Sequence, residues 1–105
     1  MAERTRRSGA SLRTDALELR LYVAGATKRS ADAIEAITTL CDGLQPDQYT
    51  LEVIDIYRHP ARAQRDQIVA VPTLIKSRPE PFRRLIGNLS DSTRLRGGLG
   101  LPAVA

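Results

Sequence analysis

From Leu17 to Val23 the chain alternates. Leu17, Leu19, Leu21 and Val23 are apolar, and Glu18, Arg20 and Tyr22 stand between them. A period of two predicts a strand with one face buried. Ala24 extends the run and Gly25 ends it. After the loop Gly25-Ala26-Thr27-Lys28-Arg29-Ser30 the period changes. Ala33, Ile34, Ile37, Leu40, Cys41 and Leu44 share one helical face, and Asp32, Glu35, Thr38 and Asp42 fall on the other. This predicts an amphipathic helix. The hydroxyl of Thr27 or Ser30 can cap it by accepting a backbone N–H. Gly43 and Pro46 close it. Tyr49-Thr50-Leu51-Glu52-Val53-Ile54-Asp55-Ile56 reads as a second strand. A strand, helix and strand of this length predict a right-handed crossover with parallel strands.

The second half is patterned less clearly. His59-Pro60 opens a helical stretch through Ile68, with Pro60 suited to a first helical position. Ile68-Val69-Ala70-Val71 is apolar until Pro72 interrupts it. Thr73 to Lys76 reads as a strand, Arg78-Pro79-Glu80-Pro81 as a turn, and Phe82 to Ile86 as a further strand that Gly87 ends. Ser90 or Asp91 can cap a last helix, Ser92 to Leu99. Gly97, Gly98 and Gly100 are each expected to weaken it by roughly 1 kcal/mol relative to Ala. Short apolar runs read equally as helix or strand, so residues 57–101 are open to more than one arrangement.

A chain of 105 residues bounds the fold to one domain. With one Phe, three Tyr and no Trp, the core must be aliphatic. The net charge of +4 is uneven. Residues 1–14 carry Arg4, Arg6, Arg7 and Arg13 against Glu3, so +3 of the charge sits in this stretch and +1 in the remainder. A segment of Arg, Ser, Gly and Thr cannot bury enough surface to fold by itself. Residues 1–14 are therefore expected to be a disordered basic tail, residues 15–101 the domain, and residues 102–105 a short C-terminal tail. The basic tail could dock weakly on nucleic acid, but a solvated extension is the simpler expectation. No apolar run has the length of a membrane span. No apolar stretch follows the basic N-terminus as in a secretory signal, so the expected location is the reducing cytoplasm.

Candidate chemistry is sparse. Cys41 is the single cysteine, so an internal disulfide and two-cysteine exchange are excluded. Its place on the apolar helix face predicts a small core residue rather than a reactive thiol. His59 is the only histidine and is expected in a turn. Asp55 is expected to cap or turn rather than act as a base. Arg83-Arg84, with Lys76 and Arg78, forms a basic cluster suited to carboxylates or phosphates. On a strand Arg83 and Arg84 face opposite ways. No catalytic, cofactor or metal residue is assigned.

The order of these pieces resembles a thioredoxin-like α/β layout. Val71-Pro72-Thr73 stands where such folds keep a cis-proline, and the 25–30 loop stands where a redox member carries Cys-x-x-Cys. Here that loop holds no cysteine. The set Leu21-Tyr22-Val23-Ala24-Gly25, Val53-Ile54-Asp55-Ile56, Val71-Pro72-Thr73-Leu74 and Phe82-Arg83-Arg84-Leu85-Ile86-Gly87-Asn88-Leu89-Ser90 resembles the KaiB family, from about Leu17 to Leu99. The resemblance implies a small thioredoxin-like domain of KaiB type whose C-terminal half can take an alternative packing. It implies a non-catalytic regulator that docks on a KaiC-like ATPase, modulates its phosphorylation or activity and helps sequester a KaiA-like protein, with a SasA-type sensor kinase, which carries a related domain, competing for the same site. It also implies self-association as a dimer or tetramer. Tyr22, Lys76, Arg83 and Arg84 are the expected partner-binding residues, and Pro72, Gly87 and Gly98 the expected switch or hinge positions. Departures from the family pattern are Asp32 and Glu35, where basic residues are usual, and Gly100, where an acidic residue is usual. The usual acidic C-terminal tail is absent, and the basic residues 1–14 are additional. The alternative is a thioredoxin-like redox or stress protein using Cys41.

Overall fold

A computed structural model describes residues 4–6 and 15–101. Five strands form one sheet in the order β1-β3-β2-β4-β5, where β1 is Arg4–Arg6, β2 Leu17–Val23, β3 Tyr49–Asp55, β4 Thr73–Arg78 and β5 Arg83–Ile86. β2 and β3 are parallel, and the other pairs are antiparallel. Among the described residues there are also three α-helices, α1 (Lys28–Asp42), α2 (Pro60–Arg65) and α3 (Ser92–Leu99), and a short 3-10 turn at Pro46–Gln48.

The alternation in β2 divides the core. Leu17, Leu19, Leu21 and Val23 join Ala33, Ile34, Ile37, Leu40 and Cys41 of α1 and Leu95 and Leu99 of α3 in the main cluster. Tyr22 faces the other way and packs with Ile54 and Ile75, against Ala63 and Ile68 around α2. One face of the sheet is thus covered by two helices and a large aliphatic core. The other carries one short helix over a thin cluster.

Thr27 caps α1, its hydroxyl accepting the Ser30 N–H at 3.3 Å. Ser30 is buried inside the first turn instead, where its hydroxyl accepts the Ala24 N–H at 3.0 Å. The two candidate caps therefore divide the work between the helix and the end of β2.

The expected helix through Ile68 stops at Arg65. Gln67 takes a left-handed φ of 55°. Its N–H donates to the Gln64 carbonyl, and the Ile68 N–H donates to the Ala63 carbonyl at 2.9 Å. This is a Schellman stop, with Ile68 folded back beside Ala63. It turns an apolar residue under the helix that it would otherwise have extended.

Gly100 also reads differently in place. It lies beyond α3 with a φ of 73°, and the Leu101 N–H reaches the Arg96 carbonyl at 2.8 Å. Gly100 terminates the helix rather than weakening it, since only glycine adopts this φ without strain.

Arg4–Arg6 depart from the expectation of an unstructured tail. They pair antiparallel with β3, Arg4 opposite Val53, Thr5 opposite Glu52 and Arg6 opposite Leu51. Composition rules out a core for this segment but not the borrowing of a neighbouring ladder. The remainder of the proposed tails, residues 1–3, 7–14 and 102–105, lies outside the described residues.

Candidate partner-binding surface

β2 and β3 run parallel and end together at Val23 and Asp55, while β4 begins and β5 ends beside them, Thr73 opposite Ile86. One end of the sheet thereby gathers the turn at Gly25, the start of α1, the segment before Pro72 and Gly87. Gly25 has a φ of 57°, and the Tyr57 ring lies 3.7 Å from where its Cβ would be. Tyr57 is nonetheless 73% exposed, and Val69 is 89% exposed. Asp55 is buried at the strand end, and its carboxylate accepts the Tyr57 N–H at 2.9 Å, a turn role. The Val71–Pro72 bond is cis. Pro72, Arg29, Asp32, Gly87 and Asn88 border a small cleft of about 120 Å³.

No thiol serves this end. Cys41 lies in the second half of α1, fully buried in the main cluster and in no disulfide. Among the described residues no group of His, Cys, Asp and Glu could hold a metal ion. The arrangement offers the exposed apolar side chains of Tyr57 and Val69 and the exposed Lys28 and Arg29 at the start of α1, the elements of a docking surface.

The four expected partner-binding residues separate. Arg83 is exposed. Arg84 is half-buried, because its guanidinium donates to the Asp66 carbonyl at 2.8 Å and the Gln67 carbonyl at 3.4 Å, clamping the end of α2. Lys76 is only 5% exposed, opposite Arg83 on β4. Tyr22 is fully buried. In this packing Tyr22 and Lys76 present no docking surface, a correction to the sequence reading. An aromatic at a polar position of an alternating strand looks exposed until a helix covers that second face.

What Tyr22 does is hold α2. Its phenol donates to the Asp66 carboxylate and to the Arg62 carbonyl, the latter at 3.3 Å. Arg20 Nε donates to the same carboxylate at 3.0 Å. Arg62 adds a two-pronged pair with Glu52 of β3, at 2.5 and 2.7 Å. A helix of six residues has almost no stability of its own, so these side-chain ties and the small apolar cluster keep it folded. Burial and then the bond to Asp66 push the Tyr22 phenol up to about 12. For Asp66, burial raises the carboxyl, but the Tyr22 hydroxyl and the Arg20 guanidinium together outweigh it and leave it below its ordinary value. Nothing in the sequence pairs residues 22 and 66, so this node was not legible beforehand.

The expected hinge positions acquire concrete geometry. Gly87 has a φ of 101° with the Arg94 guanidinium close by, and Arg94 donates to the Ile86 carbonyl at 3.0 Å. At Gly98 a Cβ would stand 2.7 Å from the Leu85 side chain, so α3 sits on β5 through the absence of a side chain.

The architecture is that of a thioredoxin-like domain. Solved structures of this shape include mitochondrial thioredoxin 3 of Saccharomyces cerevisiae, with a TM-score of 0.67 and 16% identity over 82% of this chain and 78% of that one. The N-terminal domain of SasA from Synechococcus elongatus gives a TM-score of 0.65 with 23% identity, over 89% of this chain and 90% of that one. The KaiB domain model matches residues 20–101. The circadian clock protein KaiB3 of Synechocystis is 41% identical over 83 residues, covering 79% of this chain and 81% of its own length. The circadian clock oscillator protein KaiB of Prochlorococcus marinus is 49% identical over 86 residues, covering 79% of this chain and 71% of its own. The chain belongs to the KaiB family.

Proposed function

We propose that this protein is a non-catalytic regulator that docks on a KaiC-like ATPase and modulates its phosphorylation or activity. The observation that carries the reading is the family match across residues 20–101, with relatives named as circadian clock proteins. A thioredoxin-like frame with no thiol at its α1 entry supports binding over redox chemistry. Tyr57, Val69 and Arg83 are the proposed contacts, being exposed on this packing. A KaiA-like protein and a SasA-type kinase are the proposed further partners, the kinase as a competitor for the same site.

The proposed regulation is exchange of the C-terminal half between two packings, with Pro72, Gly87 and Gly98 as its switch positions. The other packing is the proposed home of dimers or tetramers. Affinity for the ATPase is then lowered by the fraction of chains not competent to bind. The proposed location is the cytoplasm, and among the described residues no helix is long and apolar enough to cross a membrane. Pull-down of the KaiC-like ATPase from the same cell, with and without ATP, tests the reading. Nucleotide-dependent capture supports it, and no capture in either state removes it.

A further inference from the structure

Val69 is an apolar side chain left 89% exposed, on a segment that is tied down on both sides. Ile68 before it and Val71 after it pack against the small cluster of Tyr22, Ile54 and Ile75. The Ile68 N–H donates to the Ala63 carbonyl at 2.9 Å. Ahead of it, Arg84 of β5 donates to the Asp66 carbonyl at 2.8 Å and to the Gln67 carbonyl at 3.4 Å. Behind it, the hydroxyl of Thr73, the first residue of β4, donates to the Ala70 carbonyl at 2.5 Å. Val69 itself makes no hydrogen bond among the described residues. Its display is therefore fixed by its neighbours, and the fixing comes from β4 and β5.

A loop that is free to move loses conformational entropy when a partner holds it, and a loop already ordered loses less. Valine adds to this, since a β-branched side chain has few χ1 states to lose. An apolar side chain held out on an ordered segment has the form of an interface anchor, which fills a desolvated pocket in the other protein. We propose that Val69 is such an anchor, that it seats in an apolar pocket of the partner, and that Arg84 and Thr73 are positioning residues that set it in place. The inference rests on the docking reading above, and it names one contact of that surface and what holds it. Arg84 then serves docking through Val69 rather than by touching the partner, because its guanidinium is engaged by two backbone carbonyls. The planar fork of arginine spans both carbonyls at once, whereas a lysine ammonium is a single point charge.

Affinity of the full chain for the KaiC-like ATPase of the same cell is measured for Val69→Ala, Arg84→Gln, Thr73→Val and Arg83→Gln, and for each of the last three combined with Val69→Ala. Val69→Ala, Arg84→Gln and Thr73→Val should each weaken binding by roughly fivefold or more. Since Arg84 and Thr73 act through Val69, adding either change to Val69→Ala should cost little more. Arg83→Gln removes the same charge one residue away, and its effect should multiply in full with that of Val69→Ala. A change that only destabilised the fold would multiply in the same way, so the shortfall is specific to positioning. Arg84→Lys should recover part of the affinity. Amide exchange of the free chains is the second readout. Arg84→Gln should quicken Asp66, Gln67 and Ile68, whose N–H groups bond within the stop of α2, and leave α1 unchanged. Thr73→Val loosens the segment from its other end and gives the same binding test should Arg84→Gln disturb folding. Full multiplication of the Arg84→Gln and Thr73→Val losses with that of Val69→Ala overturns the positioning role, and so does unchanged exchange at those three amides. Unaltered affinity in Val69→Ala overturns the anchor. Each of these results leaves docking itself standing. No binding by the unaltered chain in ATP or ADP is the separate outcome that removes the docking reading and the anchor with it.

Discussion

The phenol of Tyr22, next to last in β2, donates to the carboxylate of Asp66 at the end of α2. That bond joins a fully buried ring to the residue that caps the C-terminus of the six-residue α2. Arg20 approaches the same carboxylate from the side, and Arg84 grips the Asp66 carbonyl from β5. Four residues from three elements therefore meet where α2 stops. Asp66→Ala should loosen α2 more than the molecule as a whole. We expect a loss of about 1–3 kcal/mol, the cost of leaving a part-buried donor without its charged acceptor. Amide exchange should quicken over residues 60–68 before it does in α1. Uniform acceleration across the domain would contradict this local role.

The same node predicts the behaviour at both pH extremes. Tyr22 keeps its proton in the folded state to about pH 12, against 10.0 for an ordinary phenol. Its contribution is complete below pH 10 and is lost as pH rises through that window, since the unfolded chain ionises first. Near-ultraviolet tyrosinate absorbance should show one of the three tyrosines titrating late, and Tyr22→Phe should remove that step. Asp66 is shifted the opposite way. Its contribution is present above the ordinary carboxylate range and fades as pH falls below it. Asp66→Asn should flatten the acid limb of a stability–pH profile, and an unchanged limb would count against the assignment.

Adjacent glycines in α3 should respond with opposite signs. Nothing stands near a Cβ at Gly97, so Gly97→Ala should stabilise by roughly 0.5–1 kcal/mol through helix propensity. At Gly98 the new methyl would meet Leu85 at 2.7 Å. Gly98→Ala should be destabilising, by about 1 kcal/mol or more after the propensity gain is offset by overpacking. Leu85→Ala in the Gly98→Ala background should recover part of that loss. Denaturant midpoints of the four chains decide it, and a stabilised Gly98→Ala would remove the close-approach account.

Cys41 supplies a test of the buried-thiol reading. A fully buried side chain reacts with a thiol reagent only when the structure opens. Labelling of Cys41 should be slow in native buffer and quicken with denaturant in step with α1 unfolding. Cys41→Ser should cost about 1–3 kcal/mol by placing a hydroxyl in an aliphatic cluster. Rapid native labelling would reopen the redox reading.

The N-terminal half was legible because β2, α1 and β3 each bury one face of a regular repeat. Leu19 and Ile37 declare the strand and helix periods by themselves. The last helix was legible too, from Asp91 as a capping residue whose carboxylate does accept the Arg94 N–H at 3.2 Å. What the pattern could not supply was pairing at a distance. Tyr22 was assigned to a surface because its burial depends on a helix some forty residues away in the chain. Gln67 gave no sign of a left-handed turn, since glycine is the residue that advertises one. Arg4–Arg6 had no apolar period at all, and their place follows from the open edge of β3 rather than from their own side chains. At the candidate surface, Arg83 and the missing loop cysteines were visible in the sequence, whereas the exposure of Tyr57 and Val69 was not.

The proposed role is that a thioredoxin-like frame without a thiol in its 25–30 loop works by gripping another protein. Equilibrium co-elution of the purified chain with the KaiC-like ATPase of the same cell, in ATP and in ADP, tests it most directly. The prediction is a complex whose amount depends on the nucleotide, weakened by Tyr57→Ala, alongside no insulin-reducing activity. Failure to bind in either nucleotide would contradict it, and thiol-dependent reductase activity abolished by Cys41→Ser would favour the redox alternative.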